Sequence, residues 1–126
     1  MIVTSSKPYG VIKGMLKKWK KIGIVSCNSC ARVCETGGKA KADELAARLR
    51  QDGFEVVDVE VLPMACNVDA ARRPNYKGDL LVVLACDSGA YTLQSVFPTK
   101  VIIPALDTTG LGARDTQGDI FIMKKF

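Results

Sequence analysis

"DLLVVLACDSGAYTLQSVF", residues 79–97, decides the architecture. From Leu80 to Cys86 the run is apolar without a break. A strand wetted on one face alternates polar and apolar residues, and this one does not. The run therefore predicts a central strand of a parallel sheet, covered on both faces. Parallel neighbours require a crossover, and "SGAYTLQSVF" offers a short helix directly after it.

The same alternation recurs on either side. "KIGIVSC" (21–27) is a short β-branched run and is read as the first strand of the sheet. "TGGKAKADELAARLRQDGF" (36–54) sets Ala42, Leu45, Ala46 and Leu49 on one helical face, with Gly53 as its stop. "FEVVDVEVLP" (54–63) nearly alternates apolar with acidic residues and breaks at Pro63, which predicts a strand towards an edge. "KVIIPAL" (100–106) reads as a further strand. Upstream, "KPYGVIKGMLKKWKK" (7–21) carries Val11, Ile12, Met15, Leu16 and Trp19 at the spacing of an amphipathic helix. Strands alternating with helices imply right-handed βαβ units. The expected fold is α/β, one domain over residues 1–126. It is a three-layer flavodoxin-like or half-Rossmann sheet, mostly parallel, in the order 2-1-3-4 counted from 21–27, preceded by the amphipathic helix. The tail "GDIFIMKKF" (118–126) fits an edge strand or an arm onto a partner.

Composition narrows the class. Of the 126 residues 48% are apolar and 25% charged, as in an ordinary globular chain with a core of its own. No run approaches the roughly 18 apolar residues of a membrane span. The N-terminus has no basic-then-apolar signal pattern, so a cytoplasmic location is expected. The net charge of +5 collects in "KGMLKKWKK" (13–21) and "ARRPNYK" (71–77). Aromatics, 6% of the chain, are not interleaved with those runs as a nucleic-acid stacking platform requires. A docking surface for an acidic protein is the expected use.

Five cysteines and no histidine restrict the chemistry. Without histidine there is no Ser-His-Asp or Cys-His pair and no imidazole ligand for zinc or copper. Cys27 ends the first strand, and "CNSCARVC" brings Cys30 and Cys34 into the loop after it. Cys66 follows the second strand, and Cys86 ends the third. In a parallel sheet all five positions fall at the carboxyl edge, where open α/β sheets place their ligands. A reducing compartment favours metal or catalytic roles over disulfides. Thiolates select zinc or iron–sulfur clusters. A [4Fe–4S] cluster takes four of them, commonly a clustered set plus a remote one. An all-thiolate zinc site usually shows two C-x-x-C knuckles, and this chain has one. A dithiol redox pair on Cys27 and Cys30 would leave three thiols unused. The reading is a [4Fe–4S] centre on four of Cys27, Cys30, Cys34, Cys66 and Cys86, with zinc as the alternative.

"ETGGKAK" (35–41) is not a nucleotide-binding P-loop. Val33 stands where its first glycine belongs and Ala40 where the Ser or Thr belongs. Gly37 and Gly38 are expected to turn the backbone away from the cluster into the helix, whose N–H groups would face its negative charge. Gly89 is expected to do the same at the third strand, or only to pack against the sheet. No acid–base constellation is visible, so the chain is expected to be a non-catalytic subunit.

The ordered succession "CNSCARVCETGG", "LPMACN", "LVVLACDSGAYT" and "VIIPALDT", after a basic N-terminal helix, resembles a known family. It is the small cysteine-rich subunit, or C-terminal domain, of methylenetetrahydrofolate reductase of anaerobic one-carbon metabolism. The resemblance covers most of residues 8–109. It differs at "CDSGA" (86–90), where the family has a turn like CGAG. It implies a partner, the flavin-containing catalytic subunit; docking is expected through the carboxyl edge, where a cluster must approach its redox partner, and through "PALDTTGLGARD" (104–115), whose Gly110 and Gly112 allow close backbone approach. It also implies a role in electron transfer or support of the complex. Members of that family are described as zinc proteins and as iron–sulfur proteins, so the resemblance leaves both metals open. A structural zinc adaptor and a thiol–disulfide protein are the alternative functions.

Overall fold

The computed structural model describes residues 1–126. Its elements, numbered in chain order, are β1 (Ile2–Ser6), α1 (Tyr9–Gly14), β2 (Ile22–Cys27), α2 (Cys30–Val33), α3 (Gly38–Gln51) and β3 (Val56–Leu62). They continue with α4 (Val68–Arg72), β4 (Leu80–Leu84), α5 (Asp87–Val96), β5 (Val101–Pro104), β6 (Leu106–Arg114) and β7 (Ile120–Lys125). The class is mixed α/β.

Four strands form a parallel sheet in the order β3-β2-β4-β5. Its two central strands come from "KIGIVSC" and "DLLVVLAC". Every residue of β2 and of β4 is buried, which requires cover on both faces. Right-handed crossovers, the near-universal hand, supply it. From β2 the chain moves one way to β3 through α3, and from β4 it moves the other way to β5 through α5, so α3 and α5 lie on opposite faces. Ala42, Leu45, Ala46 and Leu49 turn the apolar stripe of α3 onto β2 and β3. Fully burying a leucine such as Leu49, Leu81 or Leu93 contributes about 1.5–3 kcal/mol. The near-alternating β3 stands at the edge, where its acidic residues reach solvent.

Two features correct the sequence reading. The N-terminal helix is short and ends at Gly14 instead of running to Lys21. Of its five apolar positions only Ile12 and Leu16 are buried. Lys17, Lys18, Lys20 and Lys21 would crowd like charges on one further helical turn. The chain instead makes a turn, with the Lys20 N–H on the Lys17 carbonyl at 3.1 Å.

The second correction is a whole additional sheet, antiparallel, in the order β1-β6-β7. "KVIIPAL" is not one strand. Pro104 ends β5, and after the fully buried Ala105 the chain enters the other sheet at Leu106. Ala105 joins the two, its N–H on Val83 O and its carbonyl accepting from Lys7 N–H, both at 2.9 Å. β1 pairs with β6 from Ile2↔Leu111 to Ser6↔Leu106, across almost the full length of the chain. The tail forms the outer strand β7, exposed along most of its length. No helix is long and apolar enough to cross a membrane.

Candidate metal centre

Strand ends position the thiols. Cys27 is the last residue of β2 and is buried, with 7% of its surface exposed. Cys86 is the N-cap of α5, just past β4. Cys66 sits in the exposed turn between β3 and α4, and Cys30 opens the single turn of α2. These four thiols line one small pocket, about 60 Å³, together with Ser29, Ala31, Met64, Ala65, Ala85 and Gly89. Its walls are otherwise almost wholly apolar, so little water competes with the sulfurs. All five cysteines are free thiols.

Cys34 does not join them. α2 carries Cys30 into the pocket, and Cys34, the C-cap one helical turn further along, lies beyond it. Its thiol faces β1, with Sγ 3.8 Å from the Ile2 carbonyl oxygen. The same β1 is pinned to this loop by the buried Thr4 and Thr36 hydroxyls, 2.7 Å apart. The strand that the sequence did not reveal is therefore what occupies Cys34. All five thiols lie near the carboxyl edge, but only four converge.

The glycines divide likewise. Gly89 lines the thiol pocket and is a packing glycine. A Cβ there would stand 2.8 Å from the Ala85 Cβ and 2.9 Å from the Ala65 Cβ. Gly37 and Gly38 lie outside the thiol pocket, in a separate open cavity with Asn28, Arg32, Lys39 and Lys41. At Gly37 a Cβ would meet the Ala31 Cβ at 2.7 Å and the Cys27 and Leu84 carbonyl oxygens at 3.0 Å. Gly38 has φ +85°, a conformation that favours glycine, and its N–H donates to Ser26 Oγ at 2.8 Å. They turn the chain into α3, and that helix start opens away from the thiols.

Hydrogen bonding and charge also mark the pocket. The Ala65 N–H points at Cys27 Sγ, 3.5 Å away, a contact that strengthens when the sulfur is a thiolate. The Cys66 thiol is pushed up from the usual thiol range, first by partial burial, then by Cys86, Cys27 and Cys30 around it. A bound cation would act on Cys66 in the opposite sense, favouring its thiolate. As the side chains stand, no three Cys, Asp or Glu groups surround one point closely enough to hold an ion. The four sulfurs share a pocket without meeting at its centre. Cys66 and Cys30 lie on the short, more exposed segments, whereas Cys27 is fixed in the sheet and Cys86 at a helix cap.

Of the two carboxylates near this edge, that of Asp107 is held in an ion pair, whereas that of Asp87 lines a separate open cavity with Tyr91 and Gln94. The Asp87 N–H donates to Thr108 Oγ1 at 3.0 Å, tying α5 to β6, and Asp107 forms an ion pair with Lys7. Neither lines the thiol pocket. Sequence reasoning missed Ala65 and Met64 as pocket walls, although their place beside Cys66 in "LPMACN" was a signal for them.

No protein-family profile matches this chain, and neither a curated protein nor a solved structure matches it.

Proposed function

We propose that this chain carries a thiolate-held metal centre on Cys27, Cys30, Cys66 and Cys86 and acts as an electron-transfer or accessory subunit of a larger oxidoreductase. The observation that carries the reading is the assembly of four thiols, from three separate stretches of chain, in one apolar pocket at the carboxyl edge. Four thiolates are the donor set of a [4Fe–4S] cluster and equally of a structural zinc, so the donor chemistry suits either group once the sulfurs close in. The place supports the reading too. The crossover direction reverses between β2 and β4, and Cys27 and Cys86 flank that switch point, where flavodoxin-like and half-Rossmann sheets bind ligands. We read the sheet as one of that kind.

Iron–sulfur leads on the resemblance and on the single C-x-x-C knuckle. A [4Fe–4S] centre, when bound, would supply one-electron transfer. The chain's own residues hold it by four sulfurs, keep water away with Ala31, Ala65 and Ala85, and direct the Ala65 N–H at Cys27 Sγ. Cys66, on the exposed turn, marks the side on which a redox partner approaches. By the resemblance, that partner is a flavin-containing subunit of methylenetetrahydrofolate reductase type. One observation favours zinc: a pocket of about 60 Å³ suits a single ion better than an eight-atom cluster unless the 63–67 turn moves outward. Zinc would make the chain a structural adaptor. The dithiol alternative is disfavoured by the burial of Cys27, which hides one of its two sulfurs.

Metal and sulfide analysis of protein purified without oxygen decides between them. About four iron and four sulfide per chain, with a visible spectrum bleached by dithionite, support the electron-transfer reading. Stoichiometric zinc without iron replaces it with the adaptor. Failure to bind either metal withdraws the proposal.

A further inference from the structure

The surface made by residues 11–21 shows an unusual pairing of charge and exposed apolar area. Trp19, the chain's single tryptophan, is 78% exposed, and Val11 and Met15 beside it in sequence are 51% and 39% exposed. Lys17, Lys18, Lys20 and Lys21 surround it. None of the four is in a salt bridge, whereas Lys13 is paired with Asp52 at 3.5 Å. Lys17 Nζ lies 5.9 Å from the Trp19 ring centroid, and Lys18 Nζ lies 5.7 Å from that of Phe54. Lys17 and Lys18 therefore stand beside aromatic rings, and none of the four lysines has a carboxylate to neutralise it.

A solvated face explains lysines but not an indole left in water beside them. We propose that this surface docks on an anionic lipid bilayer. Trp with Lys is the pairing that membrane interfaces select: the ring sits at headgroup level and the ammonium groups face the lipid phosphates. Protein interfaces favour arginine and are depleted in lysine, and residues 7–21 contain no arginine. No cavity of the molecule is lined by residues 13–21, so nothing here receives an anchor side chain of a partner protein. The projecting ring needs a medium that yields around it.

The fold sets the orientation. Lys21 directly precedes β2, so the basic surface lies at the amino edge of the parallel sheet. Cys27 ends the same strand. Six residues at about 3.3 Å each put roughly 20 Å between them. A chain seated by Trp19 presents its thiol pocket away from the bilayer, open to a partner. The inference does not depend on which metal the pocket holds.

Trp19 reports on its own docking. The 126-residue protein, as purified, is mixed with vesicles of phosphatidylglycerol and phosphatidylcholine in equal parts, and separately with phosphatidylcholine alone. The expected result is a blue shift of the emission and co-sedimentation with the anionic vesicles only, both reversed by high salt. The four exposed lysines contribute additively, so K17Q/K18Q/K20Q/K21Q should lower the partition coefficient by about three orders of magnitude. Trp19→Ala should weaken sedimentation while leaving the dependence on anionic lipid intact. Equal binding to both kinds of vesicle, or a quadruple variant that binds like the parent, overturns the proposal. So does an emission shift with polyglutamate and none with anionic vesicles, which would give the surface to an acidic protein.

Discussion

Gly89→Ala adds one methyl group at the back of the thiol pocket, and its cost can be worked from the packing. The new Cβ would stand 2.8 Å from the Ala85 Cβ and 2.9 Å from the Ala65 Cβ. Carbon atoms pack at about 3.5–4.0 Å, so the overlap is about 0.6 Å or more on two sides at once. Neither neighbour can rotate away, because both are methyls fixed to the backbone. Relief requires the end of β4 or the 63–67 turn to move, at about 1–3 kcal/mol for an overpacked site. Against that, replacing a helical glycine by alanine contributes up to about 1 kcal/mol. The net expectation is a loss of up to about 2 kcal/mol. Gly10→Ala is the matched control. Gly10 is also helical, but its added Cβ meets nothing within 4 Å, so only the favourable term remains. Urea denaturation of metal-free protein measures both as shifts in midpoint at constant m. Gly89→Ala should fall below Gly10→Ala by about 1–3 kcal/mol, and it should also bind metal more weakly, because the turn that moves carries Cys66. A Gly89→Ala variant as stable as Gly10→Ala would refute the close approach on which the pocket's shape depends.

Single substitutions of Cys27, Cys30, Cys66 or Cys86 by Ser should each lose the metal on gel filtration, whereas Cys34→Ser should retain it; metal content per chain is the measurement. Tyr76→Phe should stabilise the protein by about 1 kcal/mol in the same urea assay, because the buried Tyr76 hydroxyl has no hydrogen-bond partner. Tyr9, hydrogen-bonded to Asp52 at 2.5 Å, is pushed up to about 12 by burial first and by Asp52 next. The unfolded chain releases that proton near pH 10 while the folded one keeps it, so this contribution is complete below about pH 10 and is lost as pH rises towards 12. Melting temperatures across that range should fall less steeply for Tyr9→Phe than for the parent. Asp52 works in the opposite direction: the Tyr9 hydroxyl, first among its neighbours, holds its carboxyl below the usual range. Its contribution is present above the ordinary carboxylate pKa and is lost as pH falls through the lowered one, which Asp52→Asn should abolish in an acid titration.

Local chemistry was enough for the parallel sheet. Leu80–Leu84 is apolar throughout and Ile22–Cys27 nearly so because both their faces are covered, whereas β3, at the edge of the sheet, mixes in Asp58 and Glu60 and is only half-buried between its ends. Once those runs are parallel strands, chain direction alone sends Cys27, Cys66 and Cys86 to one edge. The second sheet was not legible, because β1 is five residues whose partner strand lies some hundred positions away. Nothing local distinguishes "IVTSS" from an extended terminus, and Pro104 inside "KVIIPAL" did not announce that the strand changes sheets there. The fate of Cys34 depended on that same contact. Spacing placed it with Cys27 and Cys30, but the turn of α2 carries it one step further along, beyond the pocket and against β1. A residue's edge of the sheet follows from strand direction, which sequence encodes. Which thiols share a pocket follows from long-range packing, and only the tertiary structure decides that.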